Sequence, residues 1–271
     1  MNEPIDPTRV RVTRGADGVA EVALVRSDKM NALDAGMFRA VAAAIDQLKA
    51  DAGVRAVVLH GEGRAFSSGL DKSRFGDMAG GGKQGTLGDI LGRTHGAANT
   101  AQWLGWGWRE LPVPVIAAVH GVAFGGGLQV ALGADVRIVH PEVQLSVMEI
   151  KWGLVPDMAG CVLMSELVRP DIVRELTFSG RIVGGAEAVA IGLATRVDSD
   201  PLAAARDMAR QIAGRNPDAI RAGKRLLNAA SPVNAAPVLM AESLEQQRLI
   251  GSPNQVEAVR AALEQRAPVF R

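Results

Sequence analysis

The chain has 271 residues, 48% hydrophobic and 22% charged, a composition typical of a globular protein with a substantial core. Its 30 basic and 29 acidic residues are dispersed along the chain, which argues against a nucleic-acid partner. One cysteine, a polar start and the lack of a long apolar run exclude an intrachain disulfide, a secretory signal and a membrane span, so we expect a cytoplasmic protein.

The first sixty residues predict two strands, a helix and a third strand. The apolar runs 9–14 and 19–25 flank a short turn and predict a hairpin. Asp34 is the expected N-cap of a helix whose apolar positions form one stripe. The compact apolar run 54–59 predicts a buried strand. A strand, a helix and a further strand in this order are typical of a crossover unit in an α/β protein.

Two glycine-rich segments follow this unit. Residues 61–71 are rich in glycine and serine, and on spacing alone they predict a surface connection. Residues 76–88 contain six glycines but lack the spacing of a phosphate-binding P-loop. A helix is then predicted over 89–111, and its tryptophans are expected in the core.

The centre of the chain repeats the crossover pattern around three consecutive glycines. An apolar strand is predicted over 115–119, a helix after Gly125–Gly127, a strand over 136–139 and an extended segment over 143–147. Glycines at a helix start let backbone N–H groups approach a ligand, an arrangement that suits a negatively charged oxygen. The alternative is that they allow close packing between a helix and a strand.

Two carboxylates stand in apolar surroundings after this region. Glu149 and Asp157 are candidates for proton transfer beside an anion-stabilising backbone site. The alternatives are that Glu149 is a solvated charge and that Asp157 caps a helix over 158–167.

The last third of the chain is predicted to be helical. Asp200, Asn216 and Ser252 each precede a proline, the pattern of an N-cap followed by the first helical residue. We therefore expect an α/β core over 1–198 and a helical C-terminal subdomain over 199–271.

Other catalytic patterns are missing from the sequence. The histidines have no metal-ligand spacing, so no metal site is predicted. No nucleophile elbow and no dinucleotide fingerprint are present either.

Five segments in fixed order carry a family resemblance that covers nearly the whole chain. They are Lys29–Leu33, Ala65–Asp71, His120–Gly127, Gly153–Pro156 and Glu264–Phe270. With these segments the chain resembles the crotonase (enoyl-CoA hydratase/isomerase) superfamily. The resemblance implies a spiral of repeated ββα units, a helical C-terminal trimerisation region, and a homotrimer or hexamer.

The resemblance also implies an acyl-coenzyme A thioester as substrate, with no separate cofactor. By position, the backbone N–H groups of Leu70 and Gly126 are the expected oxyanion hole, which makes 61–71 an active-site loop. The residues expected to contact coenzyme A are Lys29, Met30, Ala65, Ser67, Ser68, Asp71 and Phe270.

The reaction class depends on where the sequence departs from the hydratases it resembles. Glu149 matches the second hydratase glutamate, but Gln129 replaces the first, and an amide cannot exchange a proton at neutral pH. Asp157 stands where dienoyl-CoA isomerases carry an aspartate, although those enzymes usually have a third acid at the position of Gln129. We therefore expect a double-bond isomerase with Glu149 as base and Asp157 as its partner, with Gln129 and Trp152 in the substrate pocket. The alternatives are a 2-enoyl-CoA hydratase and a non-catalytic acyl-CoA-binding or scaffold protein.

Overall fold

The computed structural model describes residues 4–73, 90–229 and 235–266, so the predicted glycine-rich segment 76–88 and Phe270 lie outside it. The strands are β1 (Val10–Arg14), β2 (Val19–Leu24), β3 (Ala56–Gly61), β4 (Val115–Val119), β5 (Val122–Phe124), β6 (Val136–Val139), β7 (Gln144–Ser146) and β8 (Arg196–Val197). The helices are α1 (Ala35–Ala50), α2 (Thr100–Glu110), α3 (Gly126–Leu132), α4 (Gly160–Leu167), α5 (Pro170–Ser179), α6 (Gly185–Ala190), α7 (Pro201–Ala213), α8 (Pro217–Ala229), α9 (Ala235–Leu249) and α10 (Pro253–Leu263).

Six of these strands form one mixed sheet in the order β1-β2-β3-β4-β6-β8. The first pair is antiparallel, with Val10 opposite Leu24, which confirms the predicted hairpin. The remaining neighbours are parallel, as the crossover pattern predicts. A second, two-stranded parallel sheet joins β5 to β7 and carries the segments around the predicted site.

Side chains of the main sheet alternate between two apolar cores. Val57 and Leu59 of β3 face the larger core, to which α1 and α2 contribute, whereas Val58 faces the core under α7. The sheet is therefore covered on both faces. Small side chains at every fourth position let α7 approach it closely: Ala205, Ala209 and Ala213.

The caps predicted from sequence are present. Asp34 accepts a hydrogen bond from Met37 N at 2.7 Å, and Asp200 accepts one from Ala203 N at 3.0 Å. Asn216 and Ser252 likewise accept from N–H groups in the first turns of α8 and α10. These bonds satisfy backbone donors that have no partner inside the helix.

The predicted start of the tryptophan helix at residue 89 is wrong. Helix α2 begins at Thr100, because Asn99 and Gln102 form a reciprocal capping box. Asn99 Oδ1 accepts from Gln102 N at 2.8 Å, and Gln102 Oε1 accepts from Asn99 N at 3.0 Å. The tryptophan prediction is confirmed for Trp103 and Trp108, which are 3% and 0% exposed.

The C-terminal helices contact the rest of the molecule at several places. Helix α7 packs on the main sheet, α9 on α4, and α10 on the 3-10 helix Met148–Trp152. The division into domains at residue 198 stays a prediction. Among the described residues, no helix is long and apolar enough to cross a lipid bilayer.

The contact between α2 and the segments below it predicts opposite effects for two Gly→Ala substitutions. A Cβ at Gly105 would lie 2.2 Å from Met158 O and 3.1 Å from Gln129 O, whereas a Cβ at Gly223 would meet no atom within 4 Å. We expect Gly105→Ala to lower the free energy of unfolding by about 1–3 kcal/mol through overpacking. We expect Gly223→Ala to raise it by roughly 0.5–1 kcal/mol, because alanine favours the helix.

Urea unfolding of the wild type and the two variants measures both changes. A free energy of unfolding that is unchanged or raised in Gly105→Ala would contradict the close approach of α2.

Candidate active site

Two chain segments lie side by side where the predicted oxyanion hole is placed. Ser67 N donates to Val122 O at 3.1 Å, and Phe124 N donates to Ser67 O at 3.1 Å. Gly69 follows with φ of +83°, and a Cβ there would lie only 2.4 Å from Phe124 O. The same point is 3.6 Å from Gly126 N, so glycine at position 69 permits the approach of the two segments.

The N–H groups of Leu70 and Gly126 are the unused donors at this junction. Neither donates a hydrogen bond to any residue in 4–73, 90–229 or 235–266, although the neighbouring N–H groups of Asp71 and Gly125 do. Asp71 N donates to Leu33 O at 3.1 Å, and Gly125 N to Ser146 O at 3.0 Å. Leu70 and Gly126 are both half-buried. Two adjacent backbone donors without an internal acceptor can bind an oxygen that carries negative charge.

Glu149 lies against the glycine turn that precedes α3. Its side chain, in the 3-10 helix Met148–Trp152, is 9% exposed, which rules out the alternative of a solvated charge. A Cβ at Gly125, whose φ is +50°, would lie 3.2 Å from Glu149 Oε1. Burial raises the pKa of Glu149 from 4.5 to about 7, and the charge of Asp157 contributes in the same direction.

The two oxygens of Glu149 differ in their partners. Oε1 accepts a hydrogen bond from Gln129 Nε2 at 2.6 Å. Oε2 is buried and has no hydrogen-bond partner among the described residues. A buried acceptor without a partner costs free energy, so this oxygen is a candidate for contact with a substrate.

Gln129 is buried beside Glu149 and is bound on both sides of its amide. Its Oε1 accepts from Met158 N at 2.8 Å and from Gly160 N at 2.9 Å, while its Nε2 donates to Glu149. The side chain is only 2% exposed. Gln129 therefore connects Glu149 to the start of α4, and its place in a substrate pocket stays a prediction.

Asp157 lies in the segment just before α4 and is partly exposed. The alternative that it caps α4 is wrong, because the N-cap residue is Ala159, in the left-handed conformation with φ of +68°. Burial raises the pKa of Asp157 to about 6, against a hydrogen bond from Gln246 that lowers it. Its charge also raises the pKa of Glu149, so the two carboxyls interact electrostatically.

A second buried carboxyl, Glu242, was not predicted. It comes from α9, is 5% exposed, and accepts from Ala159 N at 3.1 Å and Cys161 N at 3.2 Å. Burial raises its pKa to about 8, and the charge of Asp157 adds to that effect. No sequence pattern connects residue 242 with residues 149 and 157, because only the packing of α9 on α4 brings them together. No group of three acids, histidines or cysteines in the described part of the chain is arranged to hold a metal ion.

The residues expected to contact coenzyme A fall into accessible and buried groups. Lys29 is exposed, and Met30 has a left-handed backbone with φ of 49°. Ser68 is half-buried beside them, and its N–H donates to Met30 O at 2.9 Å. Ala65 and Ser67 are fully buried, which removes their side chains from the reach of a ligand.

Two further predicted contacts have defined partners. Asp71 forms an ion pair with Arg26 and accepts hydrogen bonds from Ser73, which together lower its pKa to about 2 despite the opposing effect of burial. Trp152 is half-buried and packs against Leu154 and Val259, with Lys151 Nζ 5.5 Å from the centre of its ring. Trp152 is the last residue of the 3-10 helix that carries Glu149, and it provides an apolar surface there.

Comparisons with known proteins agree on one family. The profile of the enoyl-CoA hydratase/isomerase family matches residues 14–271. Carnitinyl-CoA dehydratase from Salmonella typhi is 31% identical over 93% of this chain and 95% of its own length. Methylglutaconyl-CoA hydratase from Mus musculus is 28% identical over 94% of this chain and 80% of its own length. A crystal structure of an enoyl-CoA hydratase from Mycobacterium avium subsp. paratuberculosis K-10 is 28% identical, covers 99% of this chain and all of that one, and gives a TM-score of 0.83. This likeness confirms the predicted α/β crotonase fold.

The raised pKa of Glu149 predicts a pH-dependent gain in stability when its charge is removed. Between the ordinary pKa of 4.5 and the folded value of about 7, the folded state binds more protons than the unfolded one, so stability falls as pH rises through this window. We expect Glu149→Gln to raise the free energy of unfolding by roughly 2–3 kcal/mol more at pH 8 than at pH 5.

Urea unfolding at the two pH values measures this difference. The exposed Glu142→Gln is the matched control and should show no such difference. An equal effect of Glu149→Gln at both pH values would mean that the carboxyl titrates normally.

Proposed function

The chain belongs to the enoyl-CoA hydratase/isomerase family of acyl-CoA-processing enzymes, and we propose that it shifts a carbon–carbon double bond in an enoyl- or dienoyl-CoA. One observation carries the proposal: Glu149 has a single unbonded carboxylate oxygen and shares its site with Asp157, while Gln129 is occupied in holding Glu149. A double-bond shift requires one group that removes a proton and one that returns it at another carbon.

In the proposed reaction the thioester oxygen accepts hydrogen bonds from Leu70 N and Gly126 N. Removal of a proton next to the thioester places negative charge on that oxygen. Each fixed donor of this kind stabilises the transition state by about 3 kcal/mol. Backbone donors act through the main chain, so the leucine side chain at position 70 is not itself required for this role.

The proposed reaction contains two proton transfers, one to Glu149 and one from Asp157. In a 3-enoyl-CoA, Glu149 Oε2 takes a proton from C2, and the C–H electron pair enters the enolate. Asp157 then delivers a proton to C4, and the double bond moves to C2–C3 as the enolate collapses. A proton passing from Glu149 back to Asp157 resets the site. The pKa values of Glu149 and Asp157, about 7 and about 6, lie near neutrality, where a carboxyl can both accept and donate a proton.

The hydrogen bonds of Gln129 also weigh against a hydration mechanism that uses two glutamates. A hydratase of the kind this family contains uses two glutamates to position water, and here the first of those positions is the amide of Gln129, whose oxygen already accepts from two N–H groups. A non-catalytic acyl-CoA binder is disfavoured as well, since it would gain nothing from the cost of burying an unbonded carboxylate oxygen.

Hydration is the second candidate, and two observations favour it. The relatives reported above are named as a hydratase and a dehydratase, and Asp157 beside Glu149 offers a second acid for water chemistry. In either case the substrate is an acyl-CoA thioester without a separate cofactor. We further propose a cytoplasmic homotrimer or hexamer.

A panel of 3-enoyl-, 3,5-dienoyl- and 2-enoyl-CoAs tests the proposed function. We expect a 3-enoyl- or 3,5-dienoyl-CoA to give a product of unchanged mass with a shifted double bond, detected by liquid chromatography with mass spectrometry. Glu149→Gln should lower kcat by about 10²- to 10⁴-fold, as expected for loss of a general base, whereas the exposed Glu142→Gln should not.

The panel also decides between the two candidates. If the wild type adds one water to a 2-enoyl-CoA, and this activity disappears in Glu149→Gln, the enzyme is a hydratase.

Replacing the supporting amide with a carboxyl tests the environment of the base. In Gln129→Glu a second carboxyl stands 2.6 Å from Glu149 Oε1, and two such groups cannot both be ionised easily. We expect the acid limb of the pH–kcat profile to move to higher pH by about one unit or more. Gln144→Glu, at an exposed glutamine of β7, is the control. An unchanged profile in Gln129→Glu would show that Gln129 does not control the base.

A further inference from the structure

The segment that leads from Asp157 into α4 donates its backbone hydrogen bonds to side chains of two different helices. The N–H groups of Met158 and Gly160 donate to Gln129 Oε1. The N–H groups of Ala159 and Cys161 donate to the two carboxyl oxygens of Glu242. Four consecutive N–H groups are thus taken alternately by a side chain of α3 and a side chain of α9.

These bonds replace a cap that the segment itself lacks. The N-cap residue Ala159 has no polar side-chain atom that could accept a hydrogen bond from the N–H groups in the first turn of α4. Ala159 also has φ of +68°, a left-handed conformation that is unfavourable for a residue with a Cβ. The conformation of this segment therefore depends on acceptors from other helices, and Glu242 provides two of them.

Glu242 is itself fixed by contacts between α9 and the start of α2. Gln102 Nε2 donates to Glu242 Oε2 at 3.4 Å. The next residue, Ser243, is fully buried and accepts from Asn99 Nδ2 at 3.1 Å and Arg93 Nη2 at 3.0 Å. One turn later, Gln246 Oε1 accepts from Val155 N at 3.4 Å and its side chain also bonds Asp157. Successive turns of α9 thus reach the same segment.

We propose that Glu242 is a positioning residue: its carboxyl fixes the main chain of residues 159–161 from α9, and thereby sets the position of Asp157 relative to Glu149. This inference rests on the proposed function, in which Asp157 returns the proton to the substrate. Glu242 does not contact the reacting atoms. It acts through the backbone that places Asp157.

Amide hydrogen exchange tests the positioning independently of any activity. In Glu242→Gln, an NH₂ group replaces one carboxyl oxygen and removes one acceptor. We expect whichever amide faces this NH₂ group, that of Ala159 or that of Cys161, to exchange at least about tenfold faster, with those of Met158 and Gly160 unchanged. Gln129→Leu is the matched variant and should show the reverse pattern. If all four amides lose protection together in Glu242→Gln, the residue serves general stability, and the proposal is wrong.

Kinetics of the same variants test the consequence for Asp157. A misplacement of about 1 Å is sufficient to cost up to 10²-fold in rate, so we expect Glu242→Gln to lower kcat by about 10- to 100-fold with KM nearly unchanged. Glu149-dependent deuterium uptake by the substrate in D₂O should persist, because removal of the first proton does not involve Asp157. Combining Glu242→Gln with Asp157→Asn should be no worse than Asp157→Asn alone. An unchanged kcat, or fully additive effects, would overturn the proposal.

Failure of the Glu242→Gln variant to fold and failure of the proposed function can be told apart from failure of the positioning proposal. If Glu242→Gln does not fold, the shorter acid in Glu242→Asp takes its place, with the same expected order of amide exchange and kcat. If the wild type hydrates 2-enoyl-CoAs and isomerises nothing, the proposed function fails. The exchange pattern and the effect on the hydration rate then still decide whether Glu242 positions the segment of Asp157.

Discussion

The buried hydrogen bond between Gln129 and Glu149 is the contact on which the site depends. Gln129 joins the helix after the glycine turn to the base and to the start of α4, because its amide donates on one side and accepts two N–H groups on the other. Among neutral side chains, only an amide combines these functions at this length. A carboxyl in its place would set like charges side by side, and an apolar side chain would leave three buried polar groups without partners.

Backbone packing supplies the other half of the site. Gly69 allows one segment to pass within contact distance of Phe124 O, and Gly125 leaves room for the carboxyl of Glu149. Gly105 lets α2 rest directly on the carbonyl groups of Met158 and Gln129. Each approach excludes a Cβ, so the positions of the two free N–H groups and of the base are set by main-chain contacts. Donors fixed in this way need little reorganisation when charge develops on a bound oxygen.

Local signals in the sequence predicted much of the fold but only part of the site. Strands 115–119 and 136–139 were predicted to the residue, because continuous apolar runs bounded by turns are unambiguous when a strand is buried on both faces. The start of α2 was missed because the capping box of Asn99 was not recognised. The role of Glu242 could not be predicted from the sequence, because it depends on how a distant helix packs. Burial of Ser67 and Gln129 likewise depends on tertiary contacts that spacing does not contain.

The three carboxyls of the site differ in the number of donors that each receives, and this difference separates their roles. Glu242 accepts two backbone N–H groups, so its oxygens are occupied and suited to fixing the chain. Glu149 accepts one amide N–H and keeps one oxygen unbonded, at a cost in stability that fits the role proposed for it as the base. Asp157 accepts a hydrogen bond from Gln246 and is partly exposed. A group that must exchange a proton with a substrate needs a free lone pair, and the bonding pattern leaves one where the base is required.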